Sequence, residues 1–300
     1  MRAFSWFLLL ILVSLLVMAA AGYPAWLLLH GHFDFAFHRI STRLAMLALL
    51  VGFILISRRL RLADRTSLGY GLARPQFVRE LALGLGIGVV LMLPVIALMM
   101  LLDLRLLKPG IVLDAHTMTE LLFQGLTTGL TVAFIEETFL RGAMFTGIYR
   151  ESGAAAAVLL TSFIYALTHF VGRFHIPADQ VTWHSGIDLL SGTFHALSDP
   201  LSIADAFLSL FGVGVLLALI RLITGNIAAC IGLHAGWVWV ITFARESSVR
   251  DPAARWSAVL STFDGVVGWL VLAWTCLIGI ALCALYMRRT AARSSVSLRT

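Results

Sequence analysis

The feature that most limits what this chain can become is a series of long apolar runs separated by short polar stretches. A run of about 20 apolar residues crosses a hydrocarbon layer of roughly 30 Å as a helix. Such windows predict spans near 5–27, 42–57, 80–102, 119–140, 154–171, 203–223, 226–244 and 265–287. The expected fold class is therefore all-α, a polytopic membrane helix bundle with about eight transmembrane helices. Composition agrees, because 60% of the 300 residues are hydrophobic and only 13% charged, too few polar groups to cover a soluble surface. The fourth run continues past its charges toward Tyr149, and only Thr224 and Gly225 separate the sixth from the seventh, which implies an antiparallel hairpin. The first run begins after Arg2 and continues to Leu29, too long for the apolar stretch of a cleaved signal, so it reads as an uncleaved helix. With no internal repeat or low-complexity linker, residues 1–300 read as a single membrane domain.

The net charge of +6 does not point to nucleic acid, because the basic residues sit in short loops. Arg58, Arg59, Arg61, Arg65, Arg74 and Arg79 follow the second span, and Arg288, Arg289, Arg293 and Arg299 follow the eighth. An even number of crossings puts both clusters on one side with Arg2, Arg150 and Arg221. The positive-inside rule makes that side cytoplasmic, with both termini on it, and the compact loops suit a bacterial inner (plasma) membrane. The longest loop on the other side, 172–202, holds His175, His184, His195, Asp179, Asp188 and Asp199 with Arg173 as its one cation. These are scattered without metal-ligand spacing and read as a solvated or lid-like loop. Cys230, Cys276 and Cys283 lie in apolar runs as small hydrophobes, with neither disulfide nor metal spacing. Gly84 and Gly88 have the small-xxx-small spacing that favours close helix contact.

Ionisable groups at membrane depth cost at least about 2.5 to 3.5 kcal/mol each on insertion scales, so they need partners and mark function. Glu136, Glu137 and Arg141 lie in the fourth run. Glu137 and Arg141 are one helical turn apart and can form an ion pair; Glu136, rotated by about 100°, is the freer carboxylate and a candidate base. Tyr165 and His169 share a face of the fifth run, and His234 sits among small residues in the seventh. A lone histidine in an apolar helix is more often a packing residue than a catalyst. One free glutamate, one compensated pair and two histidines on successive helices, however, are what water activation at membrane depth requires.

These residues resemble the three motifs of the CPBP family of intramembrane proteases, which includes the type II CAAX prenyl endopeptidases, also called Abi or Rce1-like proteins. The motifs are Glu136-Glu137-x-x-x-Arg141, then an aromatic residue and histidine at Tyr165 and His169, then Gly-Leu-His234-Ala-Gly-Trp. The resemblance covers about 119–244 and implies an eight-helix fold around a conical intramembrane cavity. Carried over, Glu136 activates water with His169 as its partner, His234 stands near the developing oxyanion, and Glu137 with Arg141 supports the first motif. The resemblance leaves two chemistries open, a metal-independent glutamate mechanism and a metalloprotease with Glu136, His169 and His234 around a divalent metal such as zinc. It implies an endopeptidase cutting a protein or peptide substrate near a membrane-associated C-terminus.

Two positions depart from the family pattern. Tyr165 stands where phenylalanine is usual and keeps the ring. Val238 stands where asparagine usually offers an amide to the oxyanion, and losing one such donor costs on the order of 10² to 10³ in rate. Val238 therefore supports an alternative, a non-proteolytic member acting as membrane scaffold or immunity factor. Cleavage gained on Val238→Asn would favour that alternative. Asn226, two turns earlier, reads as a cap of the seventh helix. A proton or solute transporter ranks last, since paired broken helices in two repeated halves are missing.

Overall fold

A computed structural model of the chain describes residues 1–33, 35–171 and 174–297; Arg173 and Arg299, counted above among the loop and tail cations, lie outside them. The apolar runs form α1 (Arg2–Leu29), α2 (Phe37–Arg59), α3 (Arg74–Leu101), α4 (Ala115–Glu137), α5 (Phe145–Thr168), α7 (Ala204–Thr224), α8 (Ala228–Ser247) and α9 (Trp269–Ser297). A short α6 (Ser185–Thr193) and a two-strand ribbon, β1 (Arg105–Leu107) antiparallel to β2 (Ser248–Arg250), lie in the connections. Among the described residues seven helical stretches are long and apolar enough to cross a membrane, one of them the 54 residues Ala115–Thr168. A straight helix of that length would run about 80 Å, far beyond one bilayer. The chain instead reverses at Gly153, whose φ of 81° and ψ of −178° suit glycine and not an L side chain. The reversal brings the Tyr165 ring to 4.7 Å from the Arg141 guanidinium. This stretch therefore supplies the fourth and fifth of the eight spans read from the sequence.

Between α4 and α5 the chain winds as a π-helix over Thr138–Met144, a wider coil often found at functional sites. Hence the fourth span continues beyond its charged residues. One end of the bundle gathers the arginine-rich segments. There the Met1 amino group meets Glu151 at 3.3 Å, and Arg150 donates to the Arg61 carbonyl and the Ser67 hydroxyl. The Ile227 amide at the start of α8 bonds to the Gly69 carbonyl at 3.1 Å, bringing the α7–α8 junction to the same end. The ribbon lies at the other end. Of the loop over 174–202, α6 packs on α1, with the Gly186 Cα side facing the Ala19 carbonyl, while Ala196 and Leu197 pack against the main core.

Helix α8 is clasped between α3 and α4 by small residues. A Cβ on Gly84 or Gly88 would collide with the backbone of α8 near Ala229 and Leu233, and one on Gly232 or Gly236 with the Leu81 or Leu85 carbonyl of α3. Gly129 of α4 likewise approaches the Ala235 carbonyl. Lipid gives apolar side chains no reason to associate, so such backbone-to-backbone approach supplies the packing that fixes α8. The spacing seen in the third run thus has its partner in the helix that carries His234.

Candidate active site

Glu137, the last residue of α4, is the hub. Its Oε1 accepts from Arg141 Nη1 at 3.1 Å and from His234 Nδ1 at 2.9 Å. Both acidic and basic members of the pair are fully buried, and His234 is 3% exposed. Arg141 also donates to the Gly214 carbonyl at 3.1 Å and lies over the Tyr165 ring. Gly214 makes room for this because a Cβ there would strike Ser162 of α5. Arg221 in turn donates to the Arg141 carbonyl at 3.0 Å, satisfying one of the carbonyls freed by the wider π winding. The one-turn ion pair read from the sequence is present, but it also holds a histidine from α8.

That bond fixes the ring. A carboxylate only accepts, so His234 Nδ1 carries the hydrogen and Nε2 points away from Glu137. Nε2 lies 4.0 Å from Glu136 Oε2, an oxygen that is buried and has no hydrogen-bond partner. Glu136 as a whole is 32% exposed, in contrast to its neighbour. His169, which ends α5, is held the same way, with Nδ1 donating to the Tyr165 carbonyl at 2.7 Å. Its ring stands 4.6 Å from that of Tyr165, which in turn lies 5.8 Å from His234. The histidine in ion-pair range of Glu136 among the described residues is thus His234.

His169, Tyr165 and His234 open onto one cavity of about 290 Å³. Thr128 and Val132 of α4 belong to its wall, while Glu136, one turn beyond Val132, is not among the lining residues and meets the cavity through His234. Apolar side chains including Met92, Trp237, Ile241 and Trp274 supply the rest. The cavity reaches Arg245, Phe263 and Asp264, which also border a second hollow at the ribbon end of the bundle. Its mouth is therefore at the end opposite the arginine-rich one. Arg105 of β1 braces this rim from beneath, donating to the carbonyls of Ala244, Ser248 and Gly265. Burial pulls the Arg105 guanidinium below its ordinary range, with nearby Arg245 adding to the effect and Asp264 opposing it.

Val238 lines the cavity one turn beyond His234, so this wall offers an aliphatic group where the family pattern has an amide. Asn226 does not substitute: its Oδ1 accepts from the Ala228 amide at the start of α8, and its Nδ2 donates to Glu80 at 2.9 Å. Among the described residues no three His, Cys, Asp or Glu side chains are grouped to hold one ion, and the Nδ1 bonds of His169 and His234 leave both Nε2 atoms open. Two features had no clear signal in the sequence. The Glu137–His234 bond joins residues 97 apart. The Arg245–Asp264 pair joins the end of α8 to the loop before α9.

No curated protein and no solved structure matches the chain. Residues 118–240, the stretch that carries all three motifs and the network around Glu137, match the family described as type II CAAX prenyl endopeptidase Rce1-like. The chain is an integral membrane protein whose residues 118–240 are similar to the type II CAAX prenyl endopeptidase Rce1-like family.

Proposed function

We propose that the chain is an intramembrane endopeptidase in which Glu136 activates the attacking water. The observation that carries this reading is the Glu136 Oε2 atom, buried, without a protein partner and 4.0 Å from His234 Nε2. One water molecule spans such a gap. Donating one hydrogen to Glu136 and the other to Nε2, it would turn its lone pairs toward a peptide carbonyl in the cavity. Glu136 takes the proton as the carbon–oxygen bond forms and returns it to the amine as the carbon–nitrogen bond breaks. Glu137, neutralised by Arg141, holds the His234 ring in place for this exchange. His169 borders the same cavity; since its Nδ1 donates to the Tyr165 carbonyl, its Nε2 serves the developing oxyanion or Glu136 as a donor once the ring has taken up a proton. The substrate is a protein or peptide whose cleaved bond lies near a membrane-associated C-terminus.

The protein is expected in a bacterial inner membrane with its arginine-rich end cytoplasmic, so that the cavity opens to the other side. The test of the chemistry is hydrolysis of a membrane peptide by purified protein. Glu136→Gln and His169→Ala should each lose cleavage while expression and melting temperature stay near wild type; full activity in either variant refutes the assignment.

A further inference from the structure

Helix α8 turns one stripe to the cavity: His234, Val238, Ile241 and Arg245, at steps of four, three and four residues. His234 stands at the inner end of the stripe and Arg245 at the mouth. Among the side chains lining this cavity Arg245 is the one lysine or arginine, at the end of an otherwise apolar wall formed with Trp237, Val267 and Trp274. Its side chain is 41% exposed, and Nη2 donates to Asp264. Asp264 is itself fixed, since its other oxygen accepts the Val266 and Val267 amides at 2.9 Å. Among the described residues this is the only hydrogen bond of the guanidinium, so the second Nη2 hydrogen and the Nε or Nη1 hydrogen beside it are open to a second carboxylate. The Arg105 bonds to Ala244, Ser248 and Gly265 tie the end of α8 to the loop bearing Asp264, which makes the rim a rigid frame.

From His234 to Arg245 the helix rises about 16 Å at roughly 1.5 Å per residue. An extended peptide advancing about 3.3 Å per residue covers that distance in about five residues. We propose that Arg245 receives the C-terminal carboxylate of the substrate, so that the cleaved bond is measured from the chain end and an apolar tail of about five residues is released. This rests on the peptidase reading above. A planar guanidinium already held on one edge by Asp264 is suited to grip a carboxylate through two parallel bonds on the other. The apolar wall between the two ends would select aliphatic or aromatic residues in the tail.

The test uses a dansylated peptide ending in five aliphatic residues, made as the free acid and as the C-terminal amide. Binding is read on Glu136→Gln protein in detergent, so that the result does not depend on turnover. The free acid should bind roughly 10- to 100-fold more tightly than the amide. Adding Arg245→Gln should erase that preference and leave amide binding unchanged, while Arg245→Lys, which keeps the charge beside Asp264 but loses the fork, should retain part of it. Equal binding of acid and amide to the Glu136→Gln protein, or a preference that survives Arg245→Gln, overturns the assignment. A wild type that hydrolyses neither peptide would instead sink the peptidase reading, with the binding comparison still deciding the role of Arg245.

Discussion

Two adjacent glutamates with different surroundings carry the proposed chemistry. Glu137 is fully buried and answers both Arg141 and His234 through Oε1, whereas Glu136 is one-third exposed; each keeps a buried Oε2 without a partner, and that of Glu136 faces His234. The sequence distinguishes them by helical geometry alone, since only Glu137 is one turn from Arg141. What it does not convey is that the same carboxylate also orients His234, because that bond depends on where α8 packs. The consequence is measurable. Glu137→Gln leaves the Arg141 guanidinium buried without its counter-charge, a change expected to cost about 3 to 5 kcal/mol. Glu137→Gln combined with Arg141→Met should recover most of the melting temperature in detergent yet remain poorly active, because a neutral amide holds the His234 Nδ1 hydrogen more weakly than the carboxylate does. A single variant that melts like wild type would show that the pair is not the buried support described here.

At the level of the element, α8 is the part that decides where the chemistry sits. Small residues at 84 and 88 on α3 and at 232 and 236 on α8 let two backbones touch, and His234 lies between the two glycines of α8. The spacing in the third run signals a close contact, but spacing carries no information about which helix answers it. Gly236→Val would drive a side chain into the Leu85 carbonyl, which cannot yield as a flexible side chain would. Overpacking of this kind costs about 1 to 3 kcal/mol. Gly86→Val, on the same α3 but facing open space, is the control. Melting and hydrolysis should both fall for the first and stay near wild type for the second; equal tolerance of the two would mean that α3 and α8 are not clasped in this way. The π winding after Glu137 is the other element-level feature the sequence conceals, since Thr138–Met144 has no composition that marks it.

For the whole molecule, hydropathy is enough to read the spans, because long apolar runs leave a chain few alternatives. The single ambiguity, a helical stretch of 54 residues, is resolved by one glycine at a φ that other residues avoid. The cavity and its mouth were not legible, since they arise from α3, α4, α5, α7, α8 and α9 together with the loop before α9. Orientation joins the two kinds of information. Thr262 is exposed beside the mouth and Arg65 is exposed at the arginine-rich end. With Cys230, Cys276 and Cys283 replaced by alanine, a membrane-impermeant maleimide added to intact cells should label Thr262→Cys and reach Arg65→Cys only after lysis. The reverse pattern would put the mouth in the cytoplasm.

In the proposed chemistry Glu136 and His234 act on one water in one shared space. A double-mutant cycle on hydrolysis rates asks this directly, using Glu136→Ala, His234→Ala and the combination. If both side chains serve the same step, the double variant should be no slower than the slower single variant. If the two losses multiply, each residue works at a separate place and the account fails.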